Sequence, residues 1–393
     1  MTIIKRELEI ERIKESEALE SLKEDWNTLL EENETKTVEL THEWQITYWK
    51  HFNEHSELFV LVVKEAGSIV AIAPLRLTYT RKFGLRIRTL EFIAARESNY
   101  QDLIVGGNKA EVLECIANYL ISNRKSWDIL DLRHVPETST TAHFFLNELD
   151  DSLLCRVADV EECIFLEVDK TWEEYATISK KVRKKVDYRM RRLQKHGEID
   201  YFHCSSGEQI CDNLQAFFEL HRKRWNPTTT PSQFIDDRFC QFYLEVTPQL
   251  LPEGQVDLFV LRLEGSPVAL LYSFLFGRNC LIQLVAHDTE YSKSSPSQVM
   301  HELFVKQAFA DGIEVIDFGY YHPYKEYWAG RFKNRVNIQV YPKRISTYYI
   351  YILTKVITSL RANLKQVTPL RQFIRYIRRR IRSLSGACQQ GTR

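Results

Sequence analysis

At 393 residues, with 44% hydrophobic and 12% aromatic residues, the chain has material for two or three packed domains and is not a disordered protein. Its 53 Lys/Arg and 53 Asp/Glu cancel, yet 12 of the basic residues and no acidic one lie between Lys343 and Arg393. An acidic body with a basic tail calls for an anionic partner at the tail and makes no case for DNA binding.

Met1–Glu11 is charged and lacks the apolar stretch of a signal peptide. The eight cysteines show no Cys-x-x-Cys, and most sit in apolar runs as buried free thiols do. These features predict a protein of the reducing cytoplasm, without a disulfide framework and without a metal site.

In chain order, the first clear element is a β-hairpin over Leu58–Ala73, two apolar runs separated by a Glu/Ala/Gly/Ser turn. Leu90–Ala95 and Asp102–Val105 read as strands, Asn108–Asn123 as a helix and Trp127–Leu132 as a buried strand. Lys180–Lys195 follows as an amphipathic helix with Val182, Val186, Met190 and Leu193 on its apolar stripe. Nine of its sixteen residues are Lys or Arg, a face that suits phosphate, RNA or an acidic substrate, or is simply solvated. Gln209–Arg224 reads as a helix ending in His221-Arg-Lys-Arg-Trp225, before the turn-rich Asn226–Pro231. Trp225 has the character of a packing residue and is this segment's substrate-side candidate.

The hairpin then recurs as Leu258–Leu271. Behind it come a strand at Cys280–His287, a helix at Ser297–Asp311 and a strand at Ile313–Phe318, so that Asp317 stands where Asp131 stands in the first half. A hairpin followed by strand, helix and strand, twice in the same order, predicts an internal duplication. The fold class is α/β (α+β), a mixed β-sheet with flanking helices.

The polar loop between Gln283 and Met300 carries the sharpest site signal. Ser295 has the chemistry of an N-cap and Pro296 suits the first helical position. A helix N-terminus, the hydroxyls of Ser294, Ser295 and Ser297, and Lys293 together form a candidate pyrophosphate site. Downstream, Asp317-Phe-Gly-Tyr-Tyr-His-Pro-Tyr-Lys-Glu-Tyr-Trp328 gathers titratable and aromatic groups at the end of a strand. Asp317, Tyr324 and Lys325 are its catalytic candidates, and Tyr320 and Trp328 join Trp225 as substrate-binding candidates. A tyrosine or lysine serves there as acid or base only with a shifted pKa.

The ordered set of strand, Tyr291-x-x-x-Ser-Pro, helix, Asp317-Phe-Gly, Tyr324-Lys and Trp328 resembles the CelD/BcsL-type proteins of the GNAT superfamily. These are associated with cellulose and exopolysaccharide biosynthesis and are distantly similar to the Fem aminoacyltransferases. The resemblance covers most of residues 20–342. It implies tandem GNAT-like acyl-CoA N-acyltransferase domains: 1–168, structural or acceptor-binding; 169–345, with the active site; and a basic helical tail, 346–393. It implies acetyl-CoA or another acyl-CoA as co-substrate, no permanently bound cofactor, and an amine or hydroxyl acceptor such as a sugar or glycan precursor. By the same analogy Leu284, Val285 and Ala286 hold the pantetheine, and Ser294, Ser295, Ser297 and Gln298 the pyrophosphate. Where relatives often carry Ser-Pro-Gly, this chain has Ser295-Pro296-Ser297, and a missing glycine limits backbone approach to a phosphate.

Two other readings remain open at this level. One is a Fem-like transfer from aminoacyl-tRNA, prompted by the basic helix Lys180–Lys195. The other is a non-catalytic subunit of a polysaccharide-synthesis machine, peripheral at the inner face of an anionic membrane. Its motive is Leu370–Arg382, where Leu370, Phe373, Ile374, Ile377 and Ile381 form one stripe among six arginines.

Overall fold

The structure is a computed structural model that describes residues 7–366, apart from 83, 179 and 205. The expected tail helix at 370–382 therefore lies outside the described residues. The chain divides into two compact units, Met1–Val340 and Tyr341–Arg393.

The first unit opens with β1 (Leu8–Ile13), α1 (Ser16–Glu20), α2 (Lys23–Glu32) and α3 (His42–Phe52). β2 (Ser56–Leu58), β3 (Val60–Glu65), β4 (Ser68–Ala73), β5 (Leu75–Lys82) and β6 (Leu85–Phe92) follow. β7 (Ile104–Val105), α4 (Lys109–Ser122), β8 (Ile129–Pro136), α5 (Thr140–Asn147) and β9 (Leu153–Glu167) complete the first half. The second half runs through α6 (Trp172–Ile178), α7 (Lys180–Gln194), β10 (Ile199–His203), α8 (Gly207–Trp225) and α9 (Asp237–Leu250). It ends with β11 (Val256–Leu263), β12 (Ser266–Phe276), β13 (Asn279–His287), α10 (Pro296–Ala310), β14 (Val315–Tyr320) and β15 (Arg331–Pro342). The second unit contains α11 (Ile345–Gln366).

The repeated hairpins are present, and their turns match residue for residue. Ala66 and Gly67 both take positive φ (49° and 85°), as do Glu264 and Gly265 (49° and 76°). Two consecutive left-handed residues make the two-residue turn whose twist fits an antiparallel pair, and they close Glu65 on Ser68 and Leu263 on Ser266. The second copy, Leu258–Leu271, is two residues shorter than Leu58–Ala73, and the difference falls in the first strand, not the turn.

Beyond the hairpins the halves diverge. In the second, β11, β12, β13 and β14 are neighbours in one sheet, with β13 and β14 parallel. In the first, β7 joins β1, β3 and β4 in a four-stranded sheet, whereas β8 pairs in parallel with β6 in the large sheet. The β5–β6 hairpin has taken the place beside β8 that a direct copy would give to β7.

The halves also exchange strands. Cys163–Glu167 of β9 pair with β14 of the second half, and Arg335–Val340 of β15 pair with β8 of the first. The resulting eleven-stranded sheet runs from β10 to β2 and is made of strands from both halves. A shared core adds to this. Trp44 of α3 packs its indole edge-on against Phe242 (4.7 Å) and Phe274 (5.0 Å), in a cluster that includes Trp26, Tyr48, Phe217 and Tyr272. Large aromatics dominate core energetics, and a truncation such as Trp44→Ala costs about 3–5 kcal/mol.

Candidate active site

The site is made by two parallel strands that part. β13 and β14 pair only where Asn279–Leu281 face Val315–Asp317. Past that point each strand is irregular. β13 bulges between Ile282 and Leu284, so that Gln283 is the extra residue opposite β12. The ladder of β14 with β9 shifts between Asp317 and Tyr320. Gly319 has φ +67° there, a left-handed conformation that favours glycine, and a Cβ on it would lie 3.2 Å from Asn99 Oδ1, closer than ordinary contact.

A cleft of about 590 Å³ opens between the diverging strands. Ile282, Leu284 and Val285 form its apolar wall, faced by Phe318, Tyr320, His322, Tyr324 and Lys325. Ser297, Gln298 and His301 of α10 and His221, Arg224 and Trp225 of α8 complete it.

The start of α10 departs from its expected capping. Ser295 is left-handed (φ 49°, ψ 60°), and its side chain makes no cap hydrogen bond; its hydroxyl donates back to Ser292 O at 3.4 Å. A left-handed residue at the N-cap cannot aim its side chain at the first-turn amides, so the expected N-cap is corrected, while Pro296 does occupy the first helical position. One turn in, His301 Nδ1 sits 2.6 Å from Ser297 O. A carbonyl only accepts, so Nδ1 carries the proton and Nε2 the lone pair. Burial pushes this imidazole down to about 4, and its ring stacks on Trp328 at 5.0 Å. It is a neutral ring at neutral pH.

The cleft is lined by a lysine, Lys325. Its Nζ donates to Phe318 O and Tyr320 O, the carbonyls left over where β14 ends. Burial lowers its pKa from 10.5 to about 8, against the charge of Asp317, which raises it. A neutral amine has two N–H donors and one lone pair, so Lys325 keeps both carbonyl bonds after losing its proton and gains an acceptor. Tyr324 is shifted the other way. Burial raises its pKa, opposed by the charge of Arg224, so it stays a phenol. Arg224 Nη1 lies 3.3 Å from His287 Nδ1, and its guanidinium lies 4.8 Å from the centroid of the Trp225 ring.

Of the residues singled out in the sequence, the cleft brings together Leu284, Val285, Ser297, Gln298, Trp225, Tyr320, Tyr324 and Lys325. The others go elsewhere. Ala286 and Ser294 are buried, with 0% and 1% exposure, and do not line the cleft. Ser295 borders a separate depression with Lys184, Lys185, Tyr188, Arg189 and Lys293. Trp328 is 2% exposed, with its indole N–H on Glu302 Oε2 at 3.1 Å, and is a packing residue behind His301. Asp317 lines another cavity, of about 290 Å³, where it accepts from Tyr100 at 2.7 Å and pairs with Lys333 at 2.6 Å. It reaches Lys325 only through its field.

Sequence reading missed His221, Arg224, Gln283, His301 and His322. His221, Arg224 and Trp225 stand at i, i+3 and i+4 on one helix, and His301 stands four residues after Ser297. Those spacings were the available signal. Nothing in the sequence marks Gln283, whose side chain is held by Asn99 and by Glu97 O (2.9 Å) from the first half.

The fold has relatives among solved structures. FemX covers 87% of this chain and 99% of its own at 12% identity, with a TM-score of 0.60. A conserved protein of unknown function from Bacteroides thetaiotaomicron covers 84% and 100% at 10% identity, TM-score 0.56. L-PGS from Bacillus licheniformis covers 86% and 95% at 12% identity, TM-score 0.50. At these identities the likeness is one of fold. The sequence has no match among curated proteins. Residues 180–327 match the family model described as an acetyltransferase (GNAT) domain, and every residue lining the cleft between β13 and β14 lies within that span.

Proposed function

We propose that this chain is an acyltransferase that moves an acyl group, acetyl in the simplest case, from acyl-CoA to an amine or hydroxyl acceptor. The observation that carries this reading is the pairing of Lys325 and Tyr324 in one cleft, with pKa values displaced in opposite directions. The residues fit the donor. Ile282, Leu284 and Val285 offer an apolar wall to a pantetheine arm, and the first turn of α10 offers Ser297 and Gln298 to a pyrophosphate. In the reaction Lys325 accepts the proton lost by the attacking nitrogen or oxygen, and Tyr324 donates one to the departing sulfur. No covalent intermediate on the protein is required.

The resemblance to CelD/BcsL-type proteins supports a sugar or glycan precursor of exopolysaccharide, cellulose or the cell envelope as acceptor. Calorimetry with acetyl-CoA and longer acyl-CoAs tests the reading. Micromolar binding that Tyr324→Phe leaves intact, with turnover lost, supports it; no heat with any member of the series ends it.

One observation favours a second reading, transfer from aminoacyl-tRNA. Lys184, Lys185 and Arg189 of α7, with Lys293, surround a depression of about 390 Å³ beside the start of α10. A tRNA site there binds at low salt and weakens steeply as salt rises. A gel shift with no tRNA retardation at low salt removes it.

A further inference from the structure

α11 presents an apolar face to solvent. Ile345 is 93% exposed, and Tyr348, Tyr349, Ile352 and Val356 are 42–53% exposed. They recur at i, i+3, i+4, i+7 and i+11, which is one stripe about 100° wide on a helix. Thr347 and Ile350, at 0% and 2% exposure, lie on the opposite side of the helix. Aliphatic and tyrosine side chains in a row on an exposed helix mark a surface that something covers.

The charge of the same segment selects the occupant. Between Lys343 and Arg393 there are 12 Lys/Arg and no acidic residue. Lys343 and Lys355 are exposed beside the stripe. A second copy of this chain would bring the same positive charge against it. An anionic lipid surface instead takes up both features, the apolar side chains below the headgroups and the cations among them. Tyrosine suits that depth because its ring is apolar and its hydroxyl wet. Among the described residues no helix is long and apolar enough to cross a membrane, so this helix would lie along the surface.

We propose that α11 is a membrane-docking helix that lies flat on anionic lipid through Ile345, Tyr348, Tyr349, Ile352 and Val356. The contact expected at 370–382 lies outside the described residues, and the stripe is upstream of it, within 345–356. The inference does not depend on what the cleft binds.

The test is sedimentation of the full chain with vesicles of phosphatidylcholine and phosphatidylglycerol, against pure phosphatidylcholine, at about 0.1 M and 0.5 M salt. At about 0.1 M the electrostatic range is still about 10 Å; at 0.5 M little charge attraction remains, whereas insertion persists. The expected result is at least tenfold preference for the anionic vesicles and a binding component that survives 0.5 M salt. Ile352→Ser with Val356→Ser changes no charge and touches only exposed positions. It should remove the salt-resistant component while the protein melts as wild type. Three results overturn the proposal: the full chain ignores anionic vesicles, the double variant binds as wild type at both salts, or light scattering shows a dimer that the double variant breaks.

Discussion

Glu97 offers a quantitative test of how the two halves are joined. The residue is buried, and its carboxyl accepts from the Tyr243 hydroxyl at 2.6 Å and from Gln233 Nε2 at 2.7 Å. No cation is among the groups that set its pKa, and burial raises it from 4.5 to about 7. The folded chain thus holds this proton more tightly than the unfolded chain. Stability from the neutral carboxyl is fully present below pH 4.5, and it is lost as pH rises to about 7 and beyond. A displacement of this size corresponds to about 3 kcal/mol lost by pH 8.5. Glu97→Gln keeps an acceptor oxygen for both donors and removes the ionisation; its new N–H group costs about 1 kcal/mol where it finds no partner. The net expectation at pH 8.5 is a gain of about 2 kcal/mol, a rise of about 2 °C in Tm for a chain of this size. At pH 5 the variant should equal the wild type or fall slightly below it. Scanning calorimetry of both proteins from pH 5 to 8.5 measures this. Glu39 and Asp102, raised to about 8 and about 6, tilt both curves alike and cancel in the difference. Parallel curves, or a variant less stable at both ends, would refute the burial argument.

Further outcomes follow from the cleft. With Lys325 as base, kcat/KM should rise with pH to a plateau above about 8, and Asp317→Asn, by removing the charge that raises the lysine's pKa, should move the rising limb to lower pH. An unmoved limb would take Lys325 out of the reaction. Ser297→Glu puts a carboxylate in the cleft at the start of α10, where it favours the helix. It should weaken acyl-CoA binding about 100-fold, since like charges 5–6 Å apart at an effective dielectric of 20 repel by about 3 kcal/mol, and unchanged affinity by calorimetry would displace the phosphate from that turn. Trp328→Ala should cost about 3–5 kcal/mol in denaturant unfolding, as packing behind His301 requires; a loss of acceptor affinity with stability intact would restore a binding role.

Local chemistry made much of this protein legible in its sequence. Apolar runs on either side of Ala66-Gly67 and Glu264-Gly265 announce the two hairpins, because a glycine at the turn tolerates the positive φ that a two-residue connection needs. The apolar spacing from Val299 to Ala308 gives α10, and Pro296 gives its first residue. Tyr324 and Lys325 were identifiable because titratable groups crowd the end of a strand. Three things depended on tertiary structure. The exchange of β9 and β15 is a choice between equivalent partners that strand patterns do not encode, since either half could have paired its own strand. Which residues of the Asp317–Trp328 segment reach the cleft is decided by where β14 ends and the chain turns. Asp317 and Phe318 are neighbours on β14, so the alternation of side chains gives Phe318 to the cleft and Asp317 to the other cavity, whereas Lys325 reaches the cleft from the short helical turn Pro323–Tyr327 after the strand ends. The burial that lowers the pKa of Lys325 and raises that of Glu97 comes from segments far away in the chain, and desolvation is a property of surroundings, not of a residue or its neighbours in sequence.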